Sequence, residues 1–269
     1  MTAARFFAPD LFAGDVALVT GGGTGIGKAT ATALGACGAT VVIASRREEH
    51  LSTGAAEIAA ATGVRPLTAV CDIRRPEQVE AVVELVLARH GRVDVLVNNA
   101  GGQFAQRAER YSVKGWNAVV DTNLNGTWWV TQAVGKAMIA AGRGRIVNVI
   151  ANHHRGLPGN AHTSAARAAV ANLTKTLAVE WARHGIRINA VAPGPIASSG
   201  FTREYPSGVV ERAAGLPLGR LGTVDEVAAA IVFLASPAAS WTTGATLDVT
   251  GGQHLAGDTW VVDPDADGE

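Results

Sequence analysis

The stretch that decides the fold is DVALVTGGGTGIG at residues 15–27. It reads as an apolar strand that enters a glycine-rich turn and then a helix. In that setting Gly21 permits the tight exit from the strand, Gly25 lets the backbone approach a pyrophosphate, and Gly27 allows close helix–sheet packing. The helix is predicted to begin near Ile26, and its first amides would point at that pyrophosphate. The stretch therefore predicts a dinucleotide site.

The rest of the chain alternates short runs rich in valine and isoleucine with alanine-rich stretches of helical period. Strands are predicted at 15–20, 40–45, 67–71, 93–97, 145–150, 187–191 and 245–249. Helices are predicted at 25–36, 47–62, 76–90, 113–141, 163–184 and 223–236. This alternation is typical of right-handed crossovers and predicts an α/β fold, a three-layer doubly wound parallel sheet of the Rossmann type. Residues 1–256 are expected to form one domain, followed by an acidic tail at 257–269.

The composition disfavours several classes of protein. Lys+Arg and Asp+Glu both total 23, so no net charge favours nucleic acid or an acidic membrane surface. The apolar runs are far shorter than the roughly 20 residues that span a bilayer. Residues 1–14 lack the pattern of a signal peptide, and Cys37 and Cys71 lack metal-ligand spacing. We expect a cytoplasmic protein with no metal, no nucleic-acid partner and no membrane anchor.

The second predicted strand ends in Ala44-Ser45-Arg46-Arg47. An acidic residue at this place accepts hydrogen bonds from the ribose 2′-hydroxyl of NAD(H), whereas an arginine accommodates the 2′-phosphate of NADP(H). Ser45 can donate to that phosphate, and the planar guanidinium of Arg46 can pair with it. We expect Arg47 to be a solvated charge at the start of the helix. The strand end therefore predicts NADP(H) as the cofactor.

Further motifs resemble those of the short-chain dehydrogenases/reductases over roughly residues 10–255. They are NNAG at 98–101, Asn123, NAVAPG at 189–194, Arg220-x-Gly222 and Asp248-x-x-Gly251-Gly252. The resemblance implies that Asp72 contacts the adenine and that the backbone of Ile196 binds the nicotinamide carboxamide. The cofactor-binding residues that it implies are Gly21, Thr24, Gly25, Ile26, Ser45, Arg46, Asp72, Ile73, Asn99, Ala100, Gly101, Arg167, Pro193, Gly194 and Ile196.

The catalytic residues usual in that family have changed in this chain. Most members carry a Tyr-x-x-x-Lys pair at the start of a long helix, but neither Tyr111 nor Tyr205 is followed four residues later by a lysine. Alignment on the helix puts Thr163 at the tyrosine position and Arg167 at the lysine position. An alanine takes the place of the usual serine. Only Asn123 remains of the tetrad.

The changed residues constrain the reaction. A threonine hydroxyl is too weakly acidic to protonate the alkoxide of a reduced ketone, and an arginine keeps its proton. Arg167 can still bind ribose hydroxyls and favour negative charge nearby. Hydride transfer to an α,β-unsaturated thioester instead spreads charge to the thioester oxygen, which needs hydrogen-bond donors rather than an immediate strong acid. The sequence therefore favours NADPH-dependent reduction of a 2-enoyl-CoA or 2,4-dienoyl-CoA, an acyl-thioester substrate of fatty acid metabolism.

Local similarity points the same way. The segments 101–104, 112–116, 163–175 and 236–240 resemble the peroxisomal trans-2-enoyl-CoA reductases. The related 2,4-dienoyl-CoA reductases share the cofactor end Ala44-Ser45-Arg46 and also lack the usual Tyr-x-x-x-Lys pair. Relatives of the enoyl reductase carry a tyrosine, proposed as proton donor, where this chain has Ala171. The resemblance also implies a homotetramer in which helices at 113–141 and 163–184 pack against a second subunit.

The proton donor is expected near the end of the fifth strand or in the substrate loop. His153, His154 and His162 qualify by position because imidazole titrates near neutrality, and we favour His162, which precedes the threonine at the tyrosine position. Tyr205 lies in the segment 197–216, which forms the substrate lid in this family, where packing is its alternative role. Two side-chain amides expected at the opening of the substrate site are candidate hydrogen-bond donors to the substrate oxygen: Gln103 and Asn152.

Two alternatives stay open at this point. One is a 3-oxoacyl or other carbonyl reductase with a relocated proton donor. The other is a catalytically inactive protein that keeps NADP(H) as a sensor or assembly partner. The intact turn at Pro193-Gly194, beside the nicotinamide position, disfavours the inactive protein, because a protein that only binds the cofactor does not need it.

Overall fold

Parallel strands build the centre of the protein. The computed structural model describes residues 2–152, 154–198 and 215–255, and within these ranges seven strands form one sheet and two more form a small second sheet. The strands are β1 (Val16–Thr20), β2 (Thr40–Ser45), β3 (Leu67–Val70), β4 (Val95–Asn98), β5 (Gly144–Val149), β6 (Ile186–Pro193), β7 (Ile196–Ala197), β8 (Gly222–Thr223) and β9 (Thr246–Val249). The large sheet has the order β3-β2-β1-β4-β5-β6-β9, and β7 pairs with β8.

Helices cover both faces of the large sheet. They are α1 (Gly25–Ala36), α2 (Glu48–Thr62), α3 (Pro76–His90), α4 (Val113–Val120), α5 (Gly126–Ala141), α6 (Ala161–Trp181) and α7 (Val224–Ala235). One buried cluster joins the sheet to α1, α2 and α7, and another joins it to α3, α5 and α6. Strands β1 and β4 are buried along their whole length, as expected for central strands of a parallel sheet covered on both faces. The predicted fold class is confirmed.

Local sequence explains where several helices begin and end. Helix α3 begins at Pro76, whose missing N–H is not needed in a first turn, and ends before Gly91, which has a φ of 75°. Helix α7 begins with a capping box in which Thr223 accepts from the Glu226 backbone and the Glu226 carboxylate accepts from the Thr223 backbone. These signals are local, so the sequence predicted both helices to within one residue.

The predicted helix at 113–141 is wrong in one respect, because a π-helical turn at Asp121–Asn125 separates α4 from α5. The Thr122 hydroxyl donates to the Ala118 carbonyl at 2.8 Å in this turn. A single wide turn leaves the apolar pattern almost unchanged, so this turn could not be predicted from the pattern. The helix predicted at 163–184 begins earlier, at Ala161, and ends at Trp181 before a 3₁₀ turn. The predicted strands agree with the structure to within two residues at each end.

The strand order places a crevice at the carboxyl ends of β1 and β4. From β1 the chain moves outward through β2 to β3, and it then returns to β4 on the other side of β1. Ligands of doubly wound sheets bind at such a reversal. No helix within the described part of the chain is both long enough and apolar enough to cross a membrane. Most of the predicted lid, residue 256 and the whole predicted tail at 257–269 lie outside the described residues.

The contact of α1 with the sheet depends on a glycine. A Cβ at Gly27 would collide with the Gly21 carbonyl and the Asn99 amide, whereas a Cβ at Gly35 of the same helix would make ordinary contacts at 3.4 Å. We expect Gly27→Ala to lower the free energy of unfolding by about 1–3 kcal/mol through overpacking. Gly35→Ala is the matched control, and it should be neutral or stabilising by up to about 1 kcal/mol. Urea unfolding measures both, and equal effects would contradict this account of the contact.

Candidate functional site

A cleft of about 510 Å³ opens where β1, β2 and β4 end. Ten of the fifteen predicted cofactor-binding residues line it, and Gln103 and Ser198 complete one side. The ten residues are Gly21, Thr24, Gly25, Ile26, Ser45, Arg46, Ile73, Asn99, Ala100 and Gly101. The structure therefore brings the glycine-rich turn, the end of β2 and the NNAG motif to one cavity.

The glycine-rich turn has the geometry that a phosphate site needs. Gly21 and Gly25 have φ values of 64° and 51°, a region that side chains disfavour. Nothing lies within 4 Å of the position that a Cβ of Gly25 would take, so the backbone there is open to a ligand. Helix α1 begins at Gly25 and directs its free amides into the turn. The Asn99 side chain donates to the Thr20 carbonyl at 3.0 Å and holds β4 against the turn. These residues fit a dinucleotide pyrophosphate.

The remaining predicted cofactor residues lie beside the cleft rather than in its wall. Gly194 donates its N–H to Val249 at 3.0 Å, and a Cβ there would come within 2.8 Å of the Thr250 backbone. Pro193 ends β6, and Ile196 borders a second cavity of about 380 Å³. Pro195 and Ile196 of this turn therefore line the second cavity and not the cleft.

Asp72 sits at the opposite end of the cleft. Its neighbours Cys71 and Ile73 line the cavity, whereas its own carboxylate is held by Arg74. The hydrogen bond from Arg74 lowers the pKa of Asp72, so this carboxyl group is ionised at neutral pH. Burial raises the pKa of the Cys71 thiol to about 11, which makes that thiol inert at neutral pH.

The predicted catalytic residues Asn123 and Arg167 meet at Gly101. Asn123 lies in the π-helical turn; its amide donates to the Gly102 carbonyl at 2.9 Å, and its side-chain oxygen accepts from the Gly102 N–H at 3.1 Å. Both ends of this amide therefore brace the segment after β4. A Cβ at Gly101 would collide with Arg167 Nη2 and come within 2.8 Å of Asn123 Oδ1. We call Gly101, Asn123 and Arg167, together with Thr163 one helical turn before Arg167, the catalytic corner, after the roles expected from the sequence.

Arg167 is a buried cation. Only 7% of the residue is exposed, and among the described residues no carboxylate pairs with it and no atom accepts from Nη1. Burial lowers the pKa of Arg167 to about 10, so the guanidinium stays protonated at neutral pH. A buried charge without a counter-ion destabilises the folded chain and attracts an anion. The catalytic corner is therefore electropositive.

Thr163 and His162 are both buried at the start of α6. The Thr163 N–H donates to His162 Nδ1 at 2.8 Å, which places the proton of a neutral imidazole on Nε2. The ring packs edge-on against Phe104, with centroids 4.7 Å apart, and against Tyr111 at 4.4 Å. Burial lowers the pKa of His162, so the ring is neutral at pH 7. A neutral, enclosed imidazole is a poor acid, which weakens His162 as the expected proton donor.

The other candidate donors are dispersed. The His154 imidazole pairs with Asp248 at 3.1 Å, and Asn152 is buried with its amide 3.4 Å from Gln253 Oε1. Gln103 lines the cleft. Two further candidates, His153 and Tyr205, lie outside the described residues.

An aromatic cluster beside the catalytic corner was not predicted. It consists of Phe104, Tyr111, Trp116 and His162. The Tyr111 hydroxyl donates to the Gly159 carbonyl at 3.1 Å and so ties the loop after β4 to the segment before α6. The pairing of these rings depends on contacts between two separate segments, so no periodic pattern in the sequence announces it.

Comparisons with known proteins agree with this geometry. The sequence model described as enoyl-(acyl carrier protein) reductase matches residues 21–254. The peroxisomal 2,4-dienoyl-CoA reductase of Danio rerio is 38% identical, over 93% of this chain and 85% of the relative. The 3-oxoacyl-[acyl-carrier-protein] reductase of Synechocystis sp. is 39% identical, over 89% of this chain and 97% of the relative. Among solved structures, the citronellol catabolism dehydrogenase (AtuB) of Pseudomonas aeruginosa PAO1 matches with a TM-score of 0.83 and 42% identity. The match covers 93% of this chain and 98% of the solved chain.

These matches span most of this chain and of each relative. The shared fold implies that the cleft takes a nicotinamide cofactor. The strand order, the glycine-rich turn and the matched sequence lead to one conclusion: the chain belongs to the short-chain dehydrogenase/reductase family of oxidoreductases.

Proposed function

We propose that the protein uses NADPH to reduce the C=C bond of 2-enoyl-CoA or 2,4-dienoyl-CoA thioesters. One observation carries the proposal: the catalytic corner holds the buried cation of Arg167, and a threonine stands at the position of the usual phenol. A fixed positive charge stabilises an enolate oxygen without giving up a proton. The reduction of a conjugated thioester makes that demand and no stronger one.

The residues of the corner divide the work. The cofactor supplies the hydride when it is bound. Arg167 attracts the oxygen on which negative charge develops, and its burial strengthens that attraction because little water screens it. Asn123 holds the backbone at Gly102 and so keeps the wall of the corner in place. The buried Thr163 donates its N–H to His162, whose ring packs against Phe104 and Tyr111 and so joins the start of α6 to the loop after β4.

A carbonyl substrate requires a proton donor that the described part of the corner lacks. Thr163 is too weakly acidic, Arg167 keeps its charge, and His162 is neutral and enclosed. The alternative, a 3-oxoacyl thioester reductase, is favoured by the His154–Asp248 pair, because an imidazole beside a carboxylate is a common general acid. The Synechocystis relative is named for that reaction.

The exposed side chains beside the catalytic corner are of the types that would bind an acyl thioester attached to a phosphorylated carrier. Phe104, Val113 and Trp116 expose 40%, 78% and 38% of their surface along the loop that follows β4 and the start of α4. Arg110 and Lys114 are exposed between them. Apolar side chains suit an acyl or pantetheine arm, and cations suit phosphate groups. The NADP(H) preference rests on Ser45 and Arg46 in the wall of the cleft, while the homotetramer and the cytoplasmic location stay predictions from the sequence.

The substrate assignment is tested by NADPH oxidation with a trans-2-enoyl-CoA and with the matched 3-oxoacyl-CoA. A positioned general acid contributes about 10²–10⁴-fold to a rate, so we expect kcat/KM for the enoyl substrate to be higher by at least about 100-fold. Repeating each assay with NADH separates cofactor from substrate preference. Comparable turnover of the oxo substrate would contradict the proposal and direct attention to His154 and Tyr205.

The charge of the corner is tested by Arg167→Met. This change removes an unpaired buried charge and keeps most of the volume, so we expect a gain of about 1–3 kcal/mol in the free energy of unfolding. Turnover should fall by at least about 100-fold, as for other lost oxyanion donors. Arg183→Met, at an exposed site just after α6, should change neither quantity. Unchanged turnover in Arg167→Met would mean that the alignment of the corner is wrong.

The cofactor assignment is tested by Arg46→Asp, which places a carboxylate where we expect the 2′-phosphate. We expect the Kd of NADPH to rise by at least about tenfold more than the Kd of NADH, because the carboxylate repels only the phosphate. Arg65→Asp makes the same charge change at an exposed position outside the cleft and should alter neither Kd. Equal losses of the two cofactors in Arg46→Asp would remove the NADP(H) assignment.

A further inference from the structure

An ion pair lies beside the end of the cleft nearest β3, and in it one arginine contacts both oxygens of a carboxylate. Arg74 Nε lies 2.9 Å from Asp72 Oδ1 and 3.1 Å from Oδ2, and Nη2 lies 2.5 Å from Oδ2. The Arg74 N–H also donates to Oδ1 at 3.1 Å. Side-chain exposure is 36% for Arg74 and 19% for Asp72. A planar guanidinium therefore covers both oxygens of this carboxylate, in the fork that arginine forms best.

This pair lies next to the residues expected to hold the 2′-phosphate. Ser45 is the register partner of Val70, and the Cys71 N–H donates to the Ser45 carbonyl at 2.9 Å. Asp72 is the next residue along the chain. Besides the bond from Arg74, the charge of Arg46 helps to lower the pKa of Asp72, which places the two side chains within electrostatic range. Arg46 lines this end of the cleft, where we expect the phosphate, and the Asp72–Arg74 pair lies beside it, next to the cleft residues Cys71 and Ile73.

A bare carboxylate at this place conflicts with a bound 2′-phosphate. A phosphate monoester carries about 1.5 to 2 negative charges at neutral pH, and like charges at short range repel. The acidic residue typical of NAD(H) sites stands at the end of the second strand, where this chain has Ser45 and Arg46. Without Arg74, the charge of Asp72 would cancel that of Arg46; with it, the group of three keeps one net positive charge.

We propose that Arg74 is a specificity-determining residue for NADP(H): it neutralises Asp72, so that Ser45 and Arg46 bind a 2′-phosphate without repulsion from that carboxylate. The inference rests on the cofactor preference in the proposed function. It assigns Arg74 an indirect role, through Asp72, rather than a contact with the cofactor. Its consequence is that the effect of Arg74 on NADPH binding depends on the carboxylate of Asp72 being present.

The test measures the Kd of NADPH and of NADH by calorimetry for the whole protein and four variants. Arg74→Ala should raise the Kd of NADPH by about tenfold or more and change the Kd of NADH by less than about twofold. The difference should shrink at high salt, since the charges are partly exposed. Arg74→Lys should keep most of the preference. Arg75→Ala, at the adjacent exposed arginine, should leave both Kd values unchanged.

The double variant Asp72→Asn/Arg74→Ala decides between an indirect and a direct role. If Arg74 acts by neutralising Asp72, removal of both charges should restore the ratio of the two Kd values to within about threefold of the original. If the double variant instead keeps the ratio of the two Kd values found for Arg74→Ala, Arg74 binds the phosphate itself, and the inference is overturned. Equal weakening of both cofactors in Arg74→Ala would overturn it as well.

The outcomes also separate this inference from the proposed function. A wild-type protein that binds NADH more tightly than NADPH contradicts the proposed cofactor itself. A wild-type preference for NADPH that depends on Arg46 but survives Arg74→Ala overturns the role of Arg74 alone. Thermal melting of each variant confirms that it is folded before its binding is compared.

Discussion

The buried guanidinium of Arg167 is the constraint on which the catalytic corner depends. Its Nη2 occupies the space that a Cβ at residue 101 would take, so a side chain at that position would displace the guanidinium. The Gly102 backbone beside it is fixed by Asn123, which reaches it from the π-helical turn between α4 and α5. Strand β4, the π turn and α6 thus meet around one positive charge. In the described residues nothing neutralises that charge, so the corner favours a reaction that develops negative charge there.

Positive charge lies at or beside both ends of the cleft, and we expect a different role for it at each end. Near one end, the guanidinium of Arg167 lies in the catalytic corner, where we expect the substrate oxygen to bind. At the other, Arg46 lines the place expected for the 2′-phosphate, and the Asp72–Arg74 pair lies beside it. Between them the glycine-rich turn offers backbone amides, which bind a pyrophosphate without adding a formal charge. An overall charge of zero therefore conceals a strongly uneven local distribution.

Much of the fold and part of the site follow from local patterns. The strand–turn–helix at 15–27 predicted the glycine geometry, because φ values such as those of Gly21 and Gly25 depend on neighbouring residues. The alternation of strands and helices predicted the sheet, and ten of the fifteen predicted cofactor residues line the cleft. Other features depend on contacts between distant segments or on a change of helix type that leaves the apolar pattern intact. The pairing of Tyr111 with Gly159, the pairing of His154 with Asp248 and the enclosure of His162 are of this kind.

The central claim is that a fixed charge, and not a titrating acid, stabilises the reaction at the corner. The most direct test is the pH dependence of kcat with a trans-2-enoyl-CoA and saturating NADPH. Burial lowers the pKa of Arg167 only to about 10, so the guanidinium keeps nearly all of its positive charge up to about pH 9. The account predicts a kcat that is constant to within about twofold from about pH 6 to about pH 9. An ionisation inside that range that limits kcat, and that disappears in His154→Gln or His162→Gln, would contradict it.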